Sequence, residues 1–448
     1  MNSNNSGSNS HLHEVIFTDR HYINKLDHLT KFINFLDKAP RLPSQNVFML
    51  IRPRGFGLSL ASEAIESLLI RDELLIDHLA IKDPNGFNAD DLGQYPVLHF
   101  SFAMSKANTL QAFAKMLGDT LQSEIWEHHI KLKTDGRNDL RRQMLQLVRE
   151  ISDKEKSPVV VIVDNYDVPL YMISAMEKPD ERDLANAMYF DMLSAFRQAG
   201  DRVKFCLLTG HVKFALSNNF SEGLPHVIDL SFSDIASEMM GFTIEEIKNT
   251  YSEDIARIAP QQGITAAEYL DVLEHCYGGF VFSDKMKKML CPLSVTRALD
   301  NDGDLYAYSG DNNYTFAQVA LAREEPNLDW FIEKDGQDQL YLEEVGIFPQ
   351  GKEFGSLLLQ QGLFSCNKVT FSDQEHSISW RYKYGFTNVE MRRIFQILTG
   401  ISSAQLRELP INTRVYDAGE EEYLIKIEDK WLRPSWGLVK IAITKRSQ

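Results

Sequence analysis

Three short, almost wholly apolar runs constrain this chain most: Asn46–Arg52 (NVFMLIR), Pro158–Val163 (PVVVIV) and Val203–Leu208 (VKFCLL). Each is strand-length, and each is too apolar to leave either face in water. Strands buried on both faces belong to a mostly parallel sheet with helices on both sides. The intervening segments fit that reading. Leu58–Leu69, Asp139–Ile151 and Leu184–Arg197 carry apolar residues at helical spacing, and Tyr95–Phe102 (YPVLHFSF) reads as a further strand. From Phe17 onward the order is therefore that of an α/β domain.

The texture changes beyond about Phe232. Ile235–Met240, Thr243–Tyr251 and Ala266–Cys276 read as short helices without strong strands between them, which predicts a helical lid. With 448 residues the chain has room for two or three domains. We expect a tail over 1–14, an α/β core over 15–232, the lid over 233–300, a linker at Asp300–Tyr314 and a C-terminal module over 315–448. That module reads as helix Glu353–Gln361, a hairpin (Lys368–Phe371 with Ile378–Tyr384), helix Val389–Leu398, and antiparallel strands from Arg414 onward.

Composition excludes several function classes. A net charge of -16 opposes general binding to a phosphate backbone, so nucleic acid is a disfavoured partner. Cys206, Cys276, Cys291 and Cys366 form no CxxC pair, so reduced thiols in a cytosolic compartment are expected, without a zinc site or disulfides. The amino terminus, MNSNNSGSNSHLHE, is polar and reads as a floppy tail, and no run is long enough to span a membrane.

Chemistry is suggested first at Arg52-Pro-Arg-Gly-Phe-Gly-Leu-Ser59, after a strand and before a helix. A phosphate-binding loop needs inward backbone N–H groups, a lysine for the outer phosphates and a hydroxyl for Mg²⁺. Gly57 and Ser59 meet two of these needs, while the lysine position holds Leu58. A plain glycine-containing strand-to-helix turn is the competing account. The second suggestive segment is Val159-Val-Val-Ile-Val-Asp-Asn-Tyr-Asp167, a strand ending in acidic residues. Asp164 could hold Mg²⁺ through water. The residue that would activate water is Asn165, and a carboxamide takes no proton near neutral pH.

Together these segments resemble the AAA-ATPase-like proteins of bacteria and archaea, in which a P-loop core is usually followed by a PD-(D/E)XK nuclease-like domain. The family's loop reads R-P-R-R-F-G-K-S: Arg52, Pro53, Arg54, Phe56, Gly57 and Ser59 match, while Gly55 and Leu58 depart. Its second segment reads I-D-E-Y-D-K-P: Asp164, Tyr166, Asp167 and Pro169 match, while Asn165 and Val168 depart. Further blocks follow in order, among them Leu208-Thr-Gly-His-Val-Lys-Phe214, Cys276-Tyr-Gly-Gly-Phe-Val-Phe-Ser283 and Tyr384-Gly-Phe-Thr-Asn-Val-Glu390, so the resemblance covers roughly residues 17–398.

The resemblance implies a P-loop NTPase-like α/β core, with Arg52, Arg54, Gly55, Gly57, Leu58, Ser59, Asp164, Asn165, Asp167 and Thr209 around any bound nucleotide. ATP is the cofactor such a loop takes, and Mg²⁺ would fall to Asp164 and Ser59 if a Mg-nucleotide binds. Loss of the lysine and the glutamate together removes the charge and positioning on which phosphoryl transfer depends. The expectation is a pseudo-ATPase with a protein partner. Its rivals are a working Mg²⁺-dependent ATPase completed by Arg54, Asp167 or a neighbouring subunit, and a nucleic-acid-associated defence or mobile-element protein.

Weaker signals are expected to carry no chemistry. Asp417 with Glu428-Asp-Lys430 has the letters of a nuclease site, but a hairpin with ordinary surface charges is the better account. His11 and His13 beside Glu14, and the pair His128–His129, read as surface histidines. Lys285-Met-Lys-Lys288 and Lys445-Arg446 read as solvated charge.

Overall fold

Five strands, Val47–Ile51 (β1), Val97–Ser101 (β2), Val159–Asp164 (β3), Val203–Gly210 (β4) and Ile228–Asp229 (β5), form one sheet in the order β2-β3-β4-β1-β5, every neighbouring pair parallel. The computed structural model describes residues 12, 15–16, 22–38, 45–76, 91–103, 105–132, 139–216, 227–310, 343–351, 353–374 and 377–399, with the backbone of three strands between 415 and 432. Every residue of β1 and β3 is buried, as their sequence requires. The helices that cover the sheet include Leu26–Lys38 (α1), Leu58–Ile70 (α2), Leu110–Glu127 (α3), Leu140–Glu155 (α4), Val168–Ala175 (α5) and Pro179–Gln198 (α6). The α1 helix buries Leu26, Leu29, Phe32, Ile33 and Leu36, a single stripe at helical spacing. Caps from Thr109 and Asp139 open α3 and α4. The core is a P-loop NTPase-like α/β sheet.

Strand order places the site. Because β4 lies between β1 and β3, the register sets Ile51 opposite Gly210 and Asp164 opposite Thr209, so three carboxyl ends align at one edge. Crevices at the carboxyl ends of parallel strands are where open α/β sheets bind ligands.

The lid comprises Asp234–Ser237 (α7), Ile244–Thr250 (α8), Ser252–Gln261 (α9), Ala266–Tyr277 (α10) and Pro292–Asp300 (α11). Capping boxes, Thr243 with Glu246 and Thr265 with Glu268, start α8 and α10. Ile247, Tyr251, Ile258, Tyr269, Leu273 and Val295 give the lid a core of its own. Beyond these helices the lid adds a short ribbon, in which Phe280–Val281 (β6) pairs antiparallel with Lys288–Met289 (β7). These runs are too short for periodicity to reveal. The basic run beside them is solvated, with Lys285 on Asp234 and Lys287 on Glu238.

The C-terminal part contains helix Glu353–Gln360 (α12), the hairpin Phe364–Gln374 (β8) with Ser377–Phe386 (β9), and helix Val389–Thr399 (α13). It returns to the core through a parallel bridge from Phe214 to Val345, and through Gln360, whose Oε1 accepts from the Lys213 N–H at 2.8 Å. The start of the expected linker is packed: Leu305 is buried and the Ser309 N–H donates to Glu390. Farther on, Val415–Asp417 (β10), Tyr423–Ile427 (β11) and Lys430–Leu432 (β12) form a small antiparallel sheet. Asp417 and Lys430 fall on its two outer strands, whereas Glu428, Lys445-Arg446, His11, His13 and Glu14 lie outside the described residues. Among the described residues no helix is long and apolar enough to cross a membrane.

His128 also departs from expectation. It ends α3 half-buried, its Nε2 2.9 Å from the Val97 carbonyl of edge strand β2, while Glu124 one turn earlier accepts from the His99 N–H at 3.1 Å. Only His129 is exposed. Together Glu124 and His128 cover two outward backbone groups of an edge strand.

Candidate functional site

The loop between β1 and α2 is shaped by two glycines. Gly55 (φ 84°) and Gly57 (φ 79°) are left-handed, a conformation that strains a side-chain-bearing residue. Gly57 opens α2 without a side-chain cap, and the first helical N–H groups have no intrahelical acceptor. The lid rests directly on this loop. The Leu293 N–H donates to the Gly55 carbonyl at 3.1 Å, and a Cβ on Gly55 would come within 3.0 Å of Cys291 Sγ and Leu293 Cβ. Arginine, which the resembling loops carry here, would not fit under the lid in this position. Phe56 secures the loop from the other side, edge-on to Phe280 and Phe282 with ring centroids 4.8 and 5.2 Å away.

Leu58 turns into the core and is 4% exposed. Ser59, one residue on, faces the end of β3. Asn165, itself left-handed (φ 55°), directs its carboxamide back so that Nδ2 donates to Ser59 Oγ at 3.2 Å and to Asp164 Oδ2 at 2.8 Å. The other carboxylate oxygen, Oδ1, accepts from Thr209 Oγ1 at 2.7 Å, and Ser62 Oγ lies 3.3 Å from that hydroxyl. Thus β1, β3 and β4 bring Ser59, Asp164, Asn165 and Thr209 into one hydrogen-bonded group, as the loop reading requires. Over residues 10–220 the chain matches the AAA-ATPase-like family, described as a predicted AAA-ATPase. Over that stretch it is similar to the AAA-ATPase-like proteins. No curated protein matches the chain.

Other residues of this AAA-ATPase-like core have different tasks from those expected. Arg52 is fully buried; its guanidinium donates to the carbonyls of Ile51, Ser231 and Ala236 at 2.6–2.8 Å and lies 4.2 Å from the Phe282 ring centroid. It ties the loop to the start of the lid. Asp167 is equally committed: Oδ2 accepts from the His211 N–H at 2.8 Å, the Val212 N–H at 3.1 Å and the Tyr171 hydroxyl at 2.5 Å. This carboxylate caps the end of β4. Arg54 is half-buried, and its Nε has no hydrogen-bond partner among the described residues.

His211, Tyr171 and Ser62 belong to the site although the sequence did not single them out. Burial lowers the His211 pKa, with Asp167 opposing and the Arg54 charge adding to the effect, so the ring is neutral and its Nδ1, 2.9 Å from the Arg52 carbonyl, acts as donor. The polar line continues along one face of α2 from Ser59 through Ser62 to Glu66, whose carboxylate meets His99 Nδ1 at 2.5 Å. Burial alone would lower His99, but the Glu66 hydrogen bond and charge, reinforced by Asp164, hold its pKa up at about 9.

Among the described residues the group combines hydroxyl and carboxamide donors with two carboxylates: both oxygens of Asp164 accept hydrogen bonds, whereas Asp167 Oδ1 is buried without a hydrogen-bond partner. Among the described residues no cluster of three or more His, Cys, Asp or Glu side chains could hold a metal ion. The Ser59–Asp164 pair expected for Mg²⁺ does not fit the ion as arranged, because the Asn165 amide already joins the two.

Proposed function

We propose that this AAA-ATPase-like protein does not hydrolyse ATP and acts as a protein-binding or regulatory module. The observation that carries the reading is the position of Asn165. It holds the sequence position at which the family has its water-activating glutamate, and its N–H₂ group is spent on Ser59 and Asp164. A neutral amide has no lone pair basic enough to accept a proton from water at neutral pH. Burial of Leu58 supports the reading further, since no cation reaches the outer phosphates from that position. The partner class rests on charge: a net -16 repels nucleic-acid backbones and leaves protein surfaces as the suitable ligands.

The test is phosphate release with ATP and Mg²⁺, run beside ATP-binding calorimetry, on the unmodified chain and on Asp164→Ala. We expect no release above the Asp164→Ala background. Turnover in the unmodified chain that disappears in Asp164→Ala would overturn the proposal in favour of a working ATPase with a replaced base.

A further inference from the structure

We propose that the Asn165 carboxamide takes the place of a divalent cation at this site, so that Ser59 and Asp164 are joined by an organic donor and the site binds no Mg²⁺. The inference deepens the pseudo-ATPase reading and rests on it. In a Mg²⁺ site of this geometry the hydroxyl would ligate the ion directly at ~2.1 Å and the carboxylate would hold one of its waters. Both oxygens therefore need a positive partner between them. Here that partner is Nδ2, which carries two N–H bonds and uses one on each oxygen, at 3.2 and 2.8 Å.

The orientation of the amide follows from chemistry. Turned the other way, the amide oxygen would lie 2.8 Å from a carboxylate oxygen with no proton between two acceptors. Asp164 is 2% exposed and Asn165 5% exposed, so water cannot replace these bonds. Oδ1 of Asp164 is already satisfied by Thr209, which lies within reach of Ser62. Every oxygen that would face a cation thus meets an N–H or O–H donor, and an entering ion would meet the positive ends of those bonds. The left-handed backbone at residue 165 is the supporting condition, because it folds the side chain back toward Ser59. Asparagine is among the few residues that adopt this conformation readily.

Mn²⁺ alone, followed by electron paramagnetic resonance on the full chain, tests this. The unmodified chain should leave Mn²⁺ free. Asn165→Asp, which exchanges the donor for a second carboxylate, should bind it saturably where the unmodified chain does not. The further change Asp164→Asn should abolish the gain. If circular dichroism shows Asn165→Asp to be unfolded, Asn165→Ala takes its place, since it removes the same donor without adding charge. Saturable Mn²⁺ binding by the unmodified chain that is lost in Asp164→Asn overturns the inference, and so does a folded variant lacking Asn165 that gains no Mn²⁺. Neither result touches the hydrolysis reading, whose failure would appear as phosphate release.

Discussion

Leu58 separates this loop from one built to neutralise phosphate. Its side chain belongs to the main apolar core with Ala61, Ala64 and Ile65 of the same helix, so a lysine introduced there would start from a buried position. Leu58→Lys is expected to lower stability by about 2–3 kcal/mol in a urea titration, because an ammonium group would lose its water without gaining a partner. A variant as stable as the unmodified chain would mean that the side chain can swing into the crevice. The meeting of Ser59 with Asp164 was legible in the sequence, since a glycine loop after one buried strand and an acid at the end of another must converge in a parallel sheet. The amide bridge was not, because it depends on a positive φ at Asn165 that no pattern of residue types reports. Nor was the position of Asp167 apparent. Only the path of the chain into α5 shows that its carboxylate closes the end of β4.

At the scale of elements, the apolar runs declared β1, β3 and β4 because such strands have no solvated face. The α1 helix and the β6–β7 hairpin were missed for opposite reasons: one precedes the first strong strand signal, and the other is too short to show a period. The edge strand β2 poses a problem that runs of residue types do not reveal. An unpaired edge offers N–H and C=O groups to other chains. Glu124 and His128 meet two of these groups, and Glu124 is itself buried, which pushes its pKa up to about 8. The double variant Glu124→Ala/His128→Ala should therefore associate with rising concentration more than the unmodified chain, as read by size-exclusion chromatography with light scattering. Identical elution of the two would show that these side chains do not protect the edge.

Across the whole molecule, Glu390 links the lid to the C-terminal module. It is fully buried at the start of α13 and accepts from Ser294 Oγ at 3.0 Å and from the Ser309 N–H at 3.0 Å. Burial raises its pKa from 4.5 to about 7, against the pull of those hydrogen bonds. The native state therefore holds the proton more tightly than the unfolded chain does. This contribution is fully present below pH 4.5 and is lost as pH rises through about 7, for a total on the order of 3 kcal/mol. Urea titrations from pH 4.5 to 8 should show that decline, and Glu390→Gln should flatten it; an unchanged slope in the variant would assign the decline elsewhere. The parallel bridge between Phe214 and Val345 has a consequence for the order of assembly. All five sheet strands have been synthesised by Asp229, yet the segment that extends β4 gains its neighbour only after the lid and the chain through Val345 have been made. Such a contact, distant in sequence, carries a large loop-closure cost and forms slowly. A nascent chain halted within the lid would thus leave Phe214 without the neighbour that Val345 supplies, a form open to misassembly.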